Sequence, residues 1–433
     1  MKLPEKPINW EEIFEKESKQ IFETIREKDL LNQIFDFNKR YLYWSELKYR
    51  VKDESIKKYI WIFMKILRSE KYEYFEFDSI KLKYSLITDF NRKLHHFDKF
   101  LAGNIEIQSK TLGLQKSYMV SSLMEEAIAS SIIEGASTTR KVAKSMLREK
   151  RKPKTKSEKM IVNNYETMQH IINIKNQELT PEILLEIQKK VTKDTLEDSN
   201  DEGSFRDNNE IVVSDSNIPE MIVHIPPDYK EISHLIKEFC EFANKDSEEF
   251  IHPIIKGFML HFLIGYIHPF NDGNGRTART IFYWYMLSQG YWLFEYMSVS
   301  RRIVRSRKEY DLAYLYTEYD EMDLTYFIKY NIKCLDESLI ELMDYIKLKQ
   351  KEQEETKRII YITPDINLRQ ATILEEFIKD PNKIFSIKEI SETYRVVYQT
   401  ARTDLQLLVN KGFIIKKMSG KAFVFSFNEN SFN

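Results

Sequence analysis

The sequence predicts a mainly α-helical protein that carries one small β-hairpin. Three observations lead there. Its 433 residues include only 11 Gly and 11 Pro, while Leu, Ile, Lys and Glu are abundant, a balance that favours helix. Apolar residues recur at helical spacing along most of the chain. HPIIKGFMLHFLIGYI (252–267) and TARTIFYWYMLSQG (277–290) are apolar all round, as buried helices are. One stretch departs from this pattern. EIVVSDSNIPEMIVHIPPD (210–228) places two β-branched runs about a polar centre, which is the pattern of a hairpin with a longer loop.

Composition bounds the rest. Hydrophobic residues at 42% and aromatics at 13% suffice for a packed core and exclude wholesale disorder. Lys+Arg number 66 and Asp+Glu 67, so a net charge of -1 supplies no global field for nucleic acid or membrane. Cys240 and Cys334 fit no metal spacing and suit a reduced interior. The start, MKLPEKPINWEEIFEKE, has no apolar signal core, and no apolar run approaches the roughly 20 residues that span a bilayer. The expectation is a cytoplasmic chain of two or three domains with no membrane contact.

Residues 1–110 read as helices with irregular connections, without repeats or a chemical motif, hence as a structural or partner-facing domain. Residues 111–150 read as helix, and so does the segment from 154. Between them REKRKPKTK (148–156) is a solvated linker, because like charges repel and Pro153 breaks a helix. Helical periodicity returns from about 230 to 350 and includes a basic, tyrosine-rich helix pair at 301–320. KQKEQEETKR (349–358) reads as an exposed helix end or a domain boundary.

HPFNDGNGRTAR (268–279) joins the two buried helices. Gly273 and Gly275 permit unusual torsions and close approach of a ligand to the main chain. The following helix N-terminus attracts anions, and Arg276 and Arg279 add fork-shaped donors. Asp272 offers an oxygen ligand to a Mg²⁺ that bridges phosphates, and His268 is a base with a pKa near neutrality. Phe270 is the apolar peg of the loop. No Gly-Lys-Ser/Thr follows, so this is not a Walker A loop.

The stretch resembles the signature of the Fic family, HxFx[DE]GNGRxxR, with every defined position filled. The resemblance implies a helical Fic core and transfer of AMP from ATP to a protein hydroxyl, Tyr, Ser or Thr. His268 would deprotonate the hydroxyl, and Asp272 would hold Mg²⁺ on the α- and β-phosphates. Gly273, Asn274 and Gly275 would cradle phosphate, with Arg276 and Arg279 on the β- and γ-phosphates. Gly275 in place of lysine argues against the kinase variant. Such chemistry is mostly positioning and charge neutralisation, so a cradle and one base can suffice.

In SYMVSSLMEEAIASSIIEGASTTR (117–140), Ser130 and Glu134 share a helical face and Gly135 suits a helix end. Beside the loop they match the family's inhibitory pattern, [ST]xxxE[GN]. That implies that Glu134 occupies Arg279 and blocks the γ-phosphate, on a helix at about 118–139. NNYETM (163–168) and GSFR (203–206) also resemble this class, whereas Gln188 stands where many relatives have histidine. The hairpin at about 210–228 would be the flap that holds the target's backbone, or a simple lid. Tyr310 is a candidate for the wall of the nucleotide pocket. Within the family AMP removal by the same site stays open, and dimers are common.

Residues 360–433 give three helical segments and a strand pair, an order that resembles a winged helix-turn-helix. Residues 383–427 carry eight Lys/Arg and three Asp/Glu. Arg402 on the recognition helix and Lys416, Lys417 and Lys421 on the wing suit DNA phosphates, with protein contact as the other use. The expected layout is a helical domain at 1–110, a Fic domain at 111–348 and a winged helix at 360–433. The expected function is an autoinhibited protein adenylyltransferase. The alternative is a DNA-binding regulator whose core senses nucleotide.

Overall fold

The computed structural model describes residues 3–77, 80–102, 116–215, 218–245, 250–362, 365–380, 383–419 and 422–428. The chain divides into two compact units, Met1–Leu342 and Met343–Asn433.

The first unit opens with α1 (Trp10–Glu27), α2 (Leu31–Lys39), α3 (Trp44–Leu47) and α4 (Glu54–Ser69), followed by strands β1 (Tyr72–Phe77) and β2 (Ile80–Ser85) and by α5 (Thr88–Leu101). Next come α6 (Lys116–Ile133), α7 (Arg140–Glu149), α8 (Lys156–Ile174) and α9 (Pro181–Thr192). The hairpin β3 (Val213–Asp215) and β4 (Ile218–His224) precedes α10 (Ile232–Asn244), α11 (Pro253–Ile267) and α12 (Asn274–Ser288). The remaining helices are α13 (Ser300–Arg305), α14 (Arg307–Tyr319) and α15 (Thr325–Ile362), which belongs to this unit as far as Leu342.

α11 and α12 form the centre of this unit. Along α11, the side chains from Ile254 to Ile264 are all buried, whatever face they point to. Phe258 stacks on Phe282 of α12 with ring centroids 5.2 Å apart. A helix buried on every side has neighbours on every side, which is why its sequence is apolar all round. The N-terminal helices build their own core around Ile34, Tyr43, Trp61 and Ile62, and Tyr326 of α15 joins it. Buried charge ties the same regions together. Lys65 pairs with Asp320 at 2.8 Å with both side chains almost fully enclosed, and the hydroxyls of Tyr41 and Tyr72 donate to Asp323 at 2.6 and 2.9 Å.

The second unit holds α16 (Leu368–Lys379), β5 (Ile384–Ser386), α17 (Ile387–Tyr394), α18 (Tyr398–Asn410), β6 (Ile414–Ser419) and β7 (Ala422–Phe427). Capping boxes start α16 at Asn367/Gln370 and α17 at Ser386/Glu389. Arg395 adopts a left-handed conformation (φ 53°) and turns the chain into α18. The strands form an antiparallel sheet in the order β5-β7-β6, packed on the helices through Phe377, Leu405, Leu408 and Phe425. This is the expected winged helix-turn-helix.

The mainly helical fold is as the sequence predicts, with three local differences. β1 and β2 pair as an antiparallel hairpin inside the segment read as helical. YEYFEF is rich in aromatics, as strands are, but Tyr74 and Phe75 break a strict alternation, so the signal is lost among helical neighbours. α15 runs through the charged 349–358 stretch, since Lys, Gln and Glu propagate a helix once packing has nucleated it. α12 starts at Asn274, so the motif's asparagine, second glycine and both arginines lie within its first two turns.

Candidate active site

The loop between α11 and α12 is built by its own residues. His268 caps α11 in a left-handed conformation (φ 49°), and its N–H donates to the carbonyl of Ile264 at 3.0 Å. Asn274 closes the turn. Its Oδ1 accepts from the Phe270 N–H at 3.0 Å and its Nδ2 donates to the Phe270 carbonyl at 2.7 Å. The Asn274 side chain therefore shapes the loop, and only its main chain is left for an anion. Phe270 is fully buried and stacks on Phe205. Gly273 has φ +87°, and a Cβ there would lie 2.6 Å from the Thr192 methyl.

Two residues staple this loop from outside. Arg206 donates from Nε to the His268 carbonyl at 2.9 Å, and its N–H donates to the Pro269 carbonyl at 2.9 Å. Gln188 is fully buried. Its Nε2 donates to the Asp272 carbonyl at 3.1 Å and its Oε1 accepts from the Gly203 N–H at 2.6 Å. Spacing in the sequence does not assign either role, although the GSFR stretch contains Arg206.

His268 lines a cavity together with Glu134, Gly275, Arg279, Arg307 and Tyr310. Its Nδ1 faces the Gly265 carbonyl at 3.2 Å, so Nδ1 carries the proton and Nε2 keeps a free lone pair. Burial, opposed by the backbone bond to Gly265 and reinforced by the nearby His224, lowers its pKa to about 4. At neutral pH the ring is uncharged and able to accept a proton.

Glu134 follows the last residue of α6. Gly135 (φ 87°) ends that helix, with the Gly135 and Ala136 N–H groups returning to the carbonyls of Ile132 and Ser131. The carboxylate Oε1 then accepts from Arg279 NH2 at 2.9 Å. Ser130 completes the grip, its Oγ and carbonyl accepting from Arg279 at 2.9 and 3.0 Å. Burial opposes the charge on Glu134, but Arg279 and Arg276 outweigh it and hold the carboxyl below its ordinary range. Arg279 is likewise desolvated, and Glu134 keeps it firmly charged. A Cβ on Gly275 would sit 2.2 Å from the Glu134 Oε1, so only glycine lets the carboxylate reach the start of α12.

α6 is braced from behind. Glu126 is buried and accepts from the Tyr283 hydroxyl at 2.8 Å, the Ser298 hydroxyl at 2.9 Å and the Ser300 N–H at 3.0 Å. Arg307 donates to the Ile133 carbonyl at the end of the helix.

The two arginines of the motif differ. Arg279 lies on the cavity wall, with NH1 buried and without a hydrogen-bond partner among the described residues. Arg276 turns to the Val191 carbonyl (2.9 Å) and to Asp272 (3.3 Å). Its charge is felt at Glu134, while its donors hold Asp272. Asp272 is about half exposed at the head of α12, and its Oδ2 has no partner among the described residues. Such a carboxylate, beside a phosphate-accepting helix start, fits a Mg²⁺ shared with a nucleotide. Tyr310 stands on the cavity wall with its hydroxyl 3.0 Å from His261 Nε2. The hairpin supplies the opposite wall through Val213, Asp215 and His224. His224 pins it, bonded to Glu318 at 2.8 Å and to the Tyr266 carbonyl at 2.7 Å.

Residues 178–286 match the model of the Fic/DOC family. The chain carries a Fic domain. Residues 369–426 match the DeoR-like helix-turn-helix domain, in line with the winged helix. Over 116 residues the chain is 26% identical to the protein adenylyltransferase Fic of Nematostella vectensis, covering 27% of this chain and 25% of that one. It is 31% identical to the protein adenylyltransferase Fic of Culex quinquefasciatus over 116 residues, 27% of this chain and 22% of that one. The chain thus spans about a quarter of the length of these curated relatives. Among solved structures, a Fic family protein from Desulfovibrio desulfuricans superposes with a TM-score of 0.54 at 14% identity, covering 79% of this chain and 95% of that one. Fic-1 from C. elegans gives 0.52 at 18% identity, with 76% and 88% covered. At these identities the likeness is one of fold. The Fic domain places its loop motif, the α6 end and the hairpin around one cavity.

Arg402 is exposed on α18 and Lys417 on β6, while the Lys416 ammonium rests 3.7 Å above the Phe423 ring. Lys421 lies outside the described residues. Cys240 and Cys334 are both free and buried, and burial pushes their thiols up to about 12 and about 11. No described helix is long and apolar enough to cross a membrane.

Proposed function

We propose that the chain transfers AMP from ATP to a hydroxyl side chain of a target protein, itself included, and that Glu134 restrains the reaction. One observation carries this reading. The free Nε2 of a neutral His268 and the Glu134-held guanidinium of Arg279 face the same small cavity.

In the reaction His268 Nε2 takes the hydroxyl proton as the oxygen bonds to the α-phosphorus. The bond from that phosphorus to the α–β bridging oxygen breaks, and pyrophosphate leaves. The start of α12 at Gly275 receives phosphate oxygens on its N–H groups. Arg279 NH1, buried and without a partner among the described residues, is a donor for a γ-phosphate oxygen. Asp272 would hold Mg²⁺, which neutralises phosphate charge when bound, and Arg276 orients Asp272. With Glu134 in place the cavity measures about 170 Å³, below the roughly 300 Å³ of ordinary ligand pockets. A γ-phosphate and the Glu134 carboxylate compete for the same guanidinium, so restraint follows from charge and space together. The exposed Ile218 and Ile222 on β4 suit an extended target segment along the hairpin edge.

Label transfer tests this. The purified chain is incubated with Mg²⁺ and ATP labelled on the α- or the γ-phosphate. Label from α only, stronger in Glu134→Gly and absent in His268→Ala, is the expected result. Label from γ alone would replace AMP transfer with phosphoryl transfer, and no label in Glu134→Gly would remove the enzyme reading.

The helix-turn-helix match and the exposed Arg402 support a second role, docking on DNA through α18 and the wing. Binding whose affinity falls steeply with salt and weakens in Arg402→Ala is expected. Its absence at low salt would assign the wing to protein contact.

A further inference from the structure

A second cavity, of about 500 Å³, lies across α14 from the first. Tyr310, Asp311 and Tyr314 line the active-site cavity, whereas Glu309, Leu312 and Tyr316 line this one. Its volume lies within the range of small-molecule sites, roughly 300–1,000 Å³.

Its walls are rich in cations. Lys39, Arg40, Lys93, Lys329 and Lys333 line it, against the carboxylates of Glu46, Asp89 and Glu309. Lys333 is spent on Glu309 at 2.8 Å and Lys93 on Asp336 at 3.2 Å. Arg40 meets Asp36 only at 3.6 Å, an exposed pair that a phosphate can displace. Lys39 has no partner among the described residues. Among the described residues the Lys329 ammonium donates to the Arg40 carbonyl and to no carboxylate, which leaves two of its three donors unfilled there. Burial, opposed by the Glu46 carboxylate and reinforced by Arg68, Arg40 and Lys333, lowers its pKa. The start of α5 also opens here, and its N-cap Ile87 provides no side-chain acceptor for the first N–H groups. Phe90, Tyr316 and Tyr330 add flat ring faces.

We propose that this cavity binds a small phosphorylated molecule bearing a flat ring, its phosphate on Lys329, Lys39 and Arg40 and its ring among Tyr316 and Tyr330, and that its occupancy loosens Glu134. The route is short. Tyr330 bonds Ser306, the residue that caps α14, at 2.9 Å. Its neighbour Arg307 pairs with Asp311 at 2.9 Å and donates to the Ile133 carbonyl, next to Glu134. A ligand that draws on Tyr330 therefore acts on the end of α6. This coupling rests on the restraint proposed above, and the binding site does not.

Pyridoxal 5′-phosphate is a suitable probe, since it carries a phosphate, a ring and an aldehyde. The aldehyde condenses with an uncharged lysine amine, water leaves, and borohydride reduces the imine to a stable secondary amine. No lysine lines the active-site cavity, so the adduct reports the second cavity. On the full chain with limiting reagent, peptide mass spectrometry should find Lys329 labelled at least about tenfold above exposed lysines, and excess phenyl phosphate should suppress that label. Labelling spread evenly over surface lysines, or unchanged by phenyl phosphate, would overturn the site. Retention of labelled ATP by the His268→Ala chain tests the coupling without needing any transfer. Phenyl phosphate should raise it several-fold, and Lys329→Gln should cancel the rise. Lys39→Gln, an exposed change, serves if the buried variant folds poorly. No rise, or a fall, would overturn the coupling and leave the labelling result to stand alone.

Discussion

At the scale of single residues, chemistry and geometry have to be separated within one motif. His268 is the base because the Gly265 carbonyl takes one ring nitrogen and frees the other. Its pKa, lowered to about 4, implies that the neutral ring persists as acid is added. Transfer by Glu134→Gly is expected to stay level through the neutral range and to fall as pH drops through about 4. A pH–rate profile checks this, and a limb near 6.5, the value of a free imidazole, would contradict it. The same shift contributes stability above the unfolded value that is lost as pH falls through the folded one. The two glycines make a second contrast. Gly273→Ala meets both a left-handed backbone and the Thr192 methyl, and should cost about 2 kcal/mol or more in thermal unfolding. Gly275→Ala meets only the end of the flexible Glu134 side chain, so it should cost much less while pushing the carboxylate aside.

At the scale of elements, the site depends on how α6, α11, α12 and the hairpin are held. Arg206 reaches from the segment after α9 to the carbonyl of His268. Arg206→Ala should slow transfer by about 100-fold in the Glu134→Gly background, because a displaced base costs that much, while ATP binding changes little. Parallel loss of ATP binding, measured by equilibrium dialysis, would show a collapsed loop instead. The loop residues from His268 to Arg279 are contiguous, and their local roles were legible in their order. Arg206 and Gln188 were not, since each acts on the loop from more than sixty residues away in the chain. Arg276 and Asn274 also read differently in three dimensions. Both are polar and near the expected phosphate, yet their side chains serve the protein's own carbonyls and loop.

At the scale of the whole molecule, buried charge joins the N-terminal helices to the turn after α14 within one unit. Lys65 is fully enclosed, with Asp320 as its near partner at 2.8 Å. Lys65→Met should destabilise the protein by about 3–5 kcal/mol, read from urea unfolding, because Asp320 would stay buried without its cation. A change below 1 kcal/mol would mean that Asp320 takes up a proton or water at little cost. The helical class, the two apolar helices and the winged tail were legible because each is a repeating pattern in the chain. The loop motif carried the chemistry in a dozen consecutive residues, with enough specific positions to be read without a fold. Pattern alone left the β1–β2 hairpin unseen and could not tell a solvated Glu134 from one held against Arg279. That distinction needs two helices brought together from positions 145 residues apart. So does the second cavity, whose cations come from α2, α5 and α15 and share no sequence signal. Local order determines which groups the protein owns. Packing decides which of them meet, because burial and pairing are set by neighbours that the chain order does not specify.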